Sequence, residues 1–261
     1  MTGKQAESTL HRILERLRDS GALPQEHGFS ARAGAHFATM AGHLASLYGA
    51  RADFEALLER IVRTMADARL ERADELRELD EHRLEDPRWY LSNELVSTML
   101  YVDRYAGSLR ALEERIPYLK ELGINLVHLM PLQKCPEGQS DGGYAVSDYR
   151  AVDPKLGSME ELRHVRRRFH EEGMLLQLDL VVNHTSDEHE WAQRARAGEK
   201  RYQDYYYMFE SRMIPDRFEA SMPEVFPESA PGNFTYVAEL ERYVMTVFHD
   251  YQWDLNYTNP E

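Results

Sequence analysis

The chain reads as an α/β protein preceded by a helical region, and three observations predict this. From about residue 8 to 86, every periodic segment repeats at helical spacing. Beyond Asp86-Pro87-Arg88-Trp89-Tyr90 strand-like and helix-like patterns alternate, which predicts a parallel sheet with right-handed crossovers. The run Leu176-Gln177-Leu178-Asp179-Leu180-Val181-Val182 is short and rich in Leu and Val. It delivers Asn183, His184, Thr185 and Ser186 at its carboxyl end, as a buried parallel strand next to a site does.

In the helical region Leu10, Ile13, Leu14 and Leu17 form one stripe, and Phe54, Leu57, Leu58, Ile61, Val62 and Met65 form a longer one. Gly21-Ala22-Leu23-Pro24 and Tyr48-Gly49-Ala50 read as breaks. Glu71 to Glu85 is charged enough to be an exposed or bridging helix. Phe37, Met40 and Met65 fall at helical spacing and read as core. The alternating region then gives a strand at Val96 to Val102, a helix at Leu109 to Leu122, a strand at Asn125 to Met130, a helix at Met159 to Glu172 and a strand at Leu175 to Val182. Gly123 and Gly173 stand where helix C-caps favour glycine. Three βα steps begin either a barrel or a doubly wound sheet. After His184 the pattern dissolves into a helix near Glu188 to Ala197, the aromatic cluster around Tyr202 to Phe209 and a strand-like Tyr243 to Phe248. A segment this long is an excursion that could wall a pocket on the carboxyl face of the sheet.

The formal charge of -14 argues against nucleic acid and anionic membrane as partners, because both select a concentrated basic surface. The basic run Arg166-Arg167-Arg168 lies in a helical pattern and reads as a solvated face. A single cysteine, Cys135, excludes an intrachain disulfide, and neither an apolar leader nor a membrane-length apolar run is present, so a cytoplasmic location is expected.

The loop Gln139-Ser140-Asp141-Gly142-Gly143-Tyr144 follows the second parallel strand, on the same face as His184. A tyrosine face can pack on a sugar ring, Asp and His can bind its hydroxyls, and glycines allow close backbone approach, so this reads as a sugar site. Asp141 could equally be an ordinary turn residue. Asp148 and Tyr149 read as structural. His184, Glu188, His189 and Glu190 cluster in sequence, but their spacing does not set two imidazoles on one helical face, and no metal or other cofactor is expected.

Together these residues resemble the α-amylase superfamily of glycoside hydrolases and transglycosylases, and within it the amylosucrase group. Asp179-Leu180-Val181-Val182-Asn183-His184 is similar to the superfamily's first signature block, and Gln252-Trp253-Asp254-Leu255-Asn256 to the block that closes its excursion domain. Lys134-Cys135-Pro136-Glu137-Gly138 leading into Ser140-Asp141-Gly142-Gly143-Tyr144, with a helical amino-terminal region, carries the amylosucrase resemblance. It implies a helical domain (1–90), the first three βα steps of a (β/α)8 TIM barrel (91–184), an inserted domain (185–257) and the start of the next barrel helix (258–261). It implies that Tyr144 stacks under a glucosyl ring, His184 hydrogen-bonds it, Asp141 closes the blind end and Phe248 lines the acceptor side. Asp179 would be a buried support for an active-site arginine, and Asn183, a calcium ligand in some amylases, would be structural.

The implied reaction is retaining cleavage of sucrose, with fructose released and glucose passed to an α-1,4-glucan. Sucrose and α-glucan are thus the expected ligands. A sucrose or α-glucan hydrolase and a non-catalytic sugar-binding module are the alternatives. The nucleophile and acid/base of this superfamily come from the fourth and fifth barrel strands and are expected beyond Glu261. The chain alone is therefore expected to be inactive and to need the remainder of the barrel.

Overall fold

The computed structural model describes residues 1–24, 27–86 and 88–261, with only the backbone of His27. Pro87, inside the expected boundary, lies outside the described residues. The chain divides into two compact units, Met1–Ser92 and Asn93–Asn259.

The first unit holds α1 (Gly3–Asp19), α2 (His27–Tyr48), α3 (Phe54–Glu71) and α4 (Asp74–Glu85). Thr2 starts α1 with a capping box, its hydroxyl accepting from the Gln5 N–H while the Gln5 side chain accepts from Thr2. The core joins Leu10, Ile13 and Leu17 of α1 to Phe37 and Ala41 of α2 and Phe54, Leu58, Val62 and Ala66 of α3. The buried line of α3 runs through positions 54, 58, 62, 66 and 69, so Met65, expected inside, stands 48% exposed. Helix α4 buries none of its residues. Its Asp80 and Glu81 instead pair at 3.2 and 3.0 Å with Arg69, whose side chain is buried.

The second unit opens with β1 (Ser97–Leu100), α5 (Val102–Tyr105), α6 (Leu109–Glu113), α7 (Ile116–Glu121) and β2 (Leu126–Leu129). A hairpin of β3 (Gln133–Lys134) and β4 (Asp148–Val152) follows, then α8 (Met159–Glu171) and β5 (Leu175–Leu178). Strands β1, β2 and β5 are parallel and adjacent in that order, with Leu100, Leu129 and Leu178 in one cross-strand row. Period two splits the sheet into two faces. Leu100, Val127 and Leu129 pack under Leu109, Leu112, Ile116, Leu119, Val165 and Phe169 of the helices. The opposite face carries Met99, His128 and Gln177, and Met99 is 64% exposed there. This is the start of a (β/α)8 barrel, with helices outside and the second face turned to the barrel interior.

Several expected bounds are corrected. Val102 does not end β1 but begins α5. The single helix expected over 109–122 is two, because Pro117 in the first turn of α7 lacks the N–H that a continuous helix would use. The strand expected to reach Val182 stops at Leu178: in this register the next β2 residues are Met130 and Pro131, and Pro131 cannot donate to the ladder. His184 begins a second short strand, His184–Ser186. Residues 257–258 form a turn, with the Asn256 side chain accepting from the Thr258 N–H and hydroxyl, and the Asn259 side chain accepts from the Glu261 N–H at 2.9 Å.

Beyond β5 come β6 (His184–Ser186), α9 (Glu190–Arg196), α10 (Lys200–Gln203), β7 (Met208–Phe209), α11 (Pro215–Glu219), β8 (Phe234–Val237), β9 (Arg242–Met245) and β10 (Gln252–Asp254). Strands β7, β9 and β8 form an antiparallel sheet, in which β9 matches the expected strand near Tyr243. Strands β6 and β10 pair antiparallel, setting His184 opposite Asp254, Thr185 opposite Trp253 and Ser186 opposite Gln252. Beneath this pair Trp253, Tyr206, Ala192, Ala195, Val237 and Val244 make a separate core.

Candidate active site

The site grows from the carboxyl ends of the parallel strands. Asp141–Gly143 forms one turn of 3-10 helix in which Asp141 has φ 47 and Gly142 and Gly143 have φ 64 and 99. A side chain at Gly142 would meet the Tyr101 hydroxyl at 2.8 Å, and one at Gly143 the Pro131 carbonyl at 3.0 Å. The two glycines therefore let the loop lie directly on the ends of β1 and β2, with Asp141 held in the left-handed region that Asp tolerates.

Beside this turn the Tyr144 hydroxyl donates to Asp179 Oδ2 at 3.2 Å, while His128 Nε2 lies 3.2 Å from Asp179 Oδ1. Burial, with the Asp179 charge next, pushes the Tyr144 phenol up to about 12, so it stays a donor at neutral pH. Asp179 is half-buried, its carboxylate meeting His128 and Tyr144 and its carbonyl accepting from Gln133 Nε2 at 3.4 Å.

His184 is buried, and burial holds its imidazole below the usual range, hence neutral at pH 7. Its Nε2 lies 3.1 Å from the Tyr144 carbonyl and 3.0 Å from Gln252 Nε2. Gln252, with no exposed surface, also donates to Asp141 Oδ2 at 3.1 Å. The ring of Phe248 sits 5.0 Å from that of His184 at 54°. Asp141, Tyr144, His184 and Phe248 are thus brought together in one constellation. Asn183 ties this constellation to β10: its amide nitrogen lies 3.4 Å from His184 Nδ1 and donates to Asp254 Oδ1 at 2.7 Å, and the Val247 N–H donates to Asp254 Oδ2 at 2.8 Å. Tyr149 donates to the His184 carbonyl at 2.8 Å, a structural contact.

Sequence reasoning assigned no role to His128, Gln252, His249 or Phe226. The imidazole of His249 stacks between Phe226 (4.9 Å, 20°) and Tyr251 (5.1 Å, 4°) and reaches within 3.8 Å of Asp141 Oδ1. The alternation of β2 held a signal for His128, which sits two residues from Leu126 on the interior face. The others depend on how the inserted segment folds back. His189, one of the clustered histidines, accepts from the Trp191 N–H at the start of α9. Among the described residues no group of three His, Cys, Asp or Glu side chains could hold a metal ion. Cys135 is buried and donates to Asp153 Oδ2 at 3.0 Å, and burial with the Asp153 carboxylate pushes its thiol up to about 11. Among the described residues no helix is long and apolar enough to cross a membrane.

The incipient parallel barrel thus carries a hydrogen-bonding and aromatic constellation at its carboxyl face, where barrel enzymes place their sites. The family model described as the α-amylase catalytic domain matches residues 67–261, and the chain belongs to that family. It is similar to an oligo-1,6-glucosidase of Parageobacillus thermoglucosidasius, 36% identical over 158 residues covering 59% of this chain and 26% of the relative. It is 30% identical to a trehalose synthase of Pimelobacter sp. (strain R48), over 68% of this chain and 31% of that protein. Among solved structures, a MutB mutant in complex with the substrate sucrose matches with a TM-score of 0.55 and 29% identity, over 64% of this chain and 30% of that one. An isomaltulose synthase mutant from Erwinia rhapontici NX5 with its natural substrate sucrose matches with a TM-score of 0.55 and 27% identity, over 64% and 30%. The chain spans about a quarter to a third of the length of these relatives.

Proposed function

We propose that this chain supplies the glucosyl-binding half of the active site of a retaining glucosyltransferase of the amylosucrase type, using sucrose as donor and an α-1,4-glucan as acceptor. The observation that carries the reading is the convergence of Asp141, Tyr144, His184 and Phe248, with one buried amide, Gln252, touching both Asp141 and His184. In this reading Tyr144 offers its ring to the apolar face of a glucosyl unit. His184 and Asp141 bind its hydroxyls, and Phe248 borders the acceptor side. Residues 1–90 serve as an accessory helical domain and 185–257 as the inserted wall of the pocket. Sucrose is favoured as donor because the solved structures of MutB and isomaltulose synthase that this chain resembles hold sucrose as substrate.

Retention calls for two carboxylates ~5–5.5 Å apart. Asp179 is engaged by His128 and Tyr144, and Asp141 by Gln252, so neither is assigned as nucleophile or acid/base. A second reading, α-glucoside hydrolysis, rests on the similarity to oligo-1,6-glucosidase.

The two readings separate in a binding series. Calorimetric titration of the chain with sucrose, isomaltose, maltose and trehalose is expected to give weak saturable binding with sucrose tightest. A preference for isomaltose would replace the sucrose reading with the hydrolytic one.

A further inference from the structure

We propose that Gln252 is a positioning residue that fixes Asp141 and His184 relative to one another and sets which ring nitrogen of His184 carries the proton. The inference deepens the reading above and rests on it for the identity of the ligand. Gln252 lies on β10, opposite Ser186 of β6, and is fully buried. Its amide nitrogen donates to Asp141 Oδ2 at 3.1 Å and lies 3.0 Å from His184 Nε2. Its carbonyl Oε1 is buried and meets no donor among the described residues. A lone structural glutamine in a core would instead use both ends of its amide.

Two contacts at His184 Nε2 make opposite demands. The Tyr144 carbonyl, 3.1 Å away, can only accept, so it asks for an N–H at Nε2. The Gln252 amide nitrogen can only donate, so it asks for a lone pair there. The Asn183 amide nitrogen, 3.4 Å from Nδ1, reinforces the carbonyl by asking for the lone pair on the other side. Among the described residues Gln252 is therefore the partner of the ring that favours the opposite tautomer, and its other hydrogen holds the carboxylate. Aromatic packing then leaves the pair little freedom, with Phe248 against His184 and the stacked His249 beside Asp141.

The test uses the whole chain and two variants, Gln252→Met and Gln252→Glu, of which the second keeps length and polarity in case the first does not fold. Long-range proton–nitrogen spectra of the imidazoles give the tautomer, and a D-glucose titration gives the affinity. With near-UV circular dichroism retained, Gln252→Met is expected to move the His184 Nε2 resonance toward the protonated-nitrogen end and to weaken glucose binding by about tenfold. Gln252→Glu is expected to move Nε2 the same way and to raise the pH at which His184 protonates, because a second carboxylate then faces the ring. It should not rescue glucose binding, since it repels Asp141. Folded variants with unchanged His184 nitrogen shifts overturn the proposal, whether or not affinity falls. A nitrogen shift with unchanged affinity overturns the part of it that concerns Asp141. A wild-type chain that binds no glucose, while the Gln252→Met shift still appears, removes the sugar reading and leaves the positioning role standing.

Discussion

Trp253→Ala is expected to lower the unfolding free energy of the 93–259 unit by about 3–5 kcal/mol, the usual cost of emptying a fully buried aromatic site. Trp253 has no exposed surface, meets Tyr206 edge-on at 5.4 Å and lies under the Arg196 guanidinium at 5.0 Å from its centroid. It is the largest side chain in a small core whose other buried members include Ala192 and Ala195, which cannot expand to fill the hole. The effect reaches the site because Trp253 lies between Gln252 and Asp254 on β10, and the partner strand β6 carries His184. Urea unfolding followed by circular dichroism checks the stability, and the imidazole spectrum of His184 checks the coupling. A loss below about 1 kcal/mol, the scale of a surface substitution, would contradict this account of the inserted segment.

Asp254 makes the second large effect a pH effect. Burial pushes its carboxyl up to about 6, against the opposing bonds from Val247 and Asn183. An unfolded aspartate titrates near ~3.9. Between those values the folded chain holds a proton that the unfolded chain has released, so stability falls as pH rises through the window. The contribution is complete below the unfolded value and lost above the folded one. A shift of this size corresponds to roughly 3 kcal/mol. Asp254→Asn has nothing to titrate there. The unfolding free energy of the wild type minus that of Asp254→Asn is therefore expected to decline by roughly 2–3 kcal/mol from pH 4 to pH 7. A difference curve flat in pH would show that the carboxyl titrates normally.

The fold was legible in sequence where chemistry is local. Gly123 and Gly173 end their helices with left-handed backbone at φ 75 and 72, as the alternation of helix and strand required. Ser158 starts α8 with a capping box closed by Glu161. What escaped depended on partners distant in sequence. The early end of β5 is set by Pro131 on its neighbour, and the strand character of His184 is set by Asp254, 70 residues later. The site divides the same way. Asp141, Tyr144 and His184 lie in distinctive local runs. Gln252 sits in a recognised block, but only the pairing of β6 with β10 gives it a task. His249 and Phe226 meet by stacking, which no periodicity encodes.

The most direct test of the central claim is to map D-glucose contacts on the chain by chemical-shift perturbation of assigned side chains. The account predicts that Tyr144, His184 and Phe248 respond together and that Tyr144→Ala abolishes the response at all three. A response confined to other rings, such as Trp191 and Tyr257, or one that survives Tyr144→Ala, would contradict it.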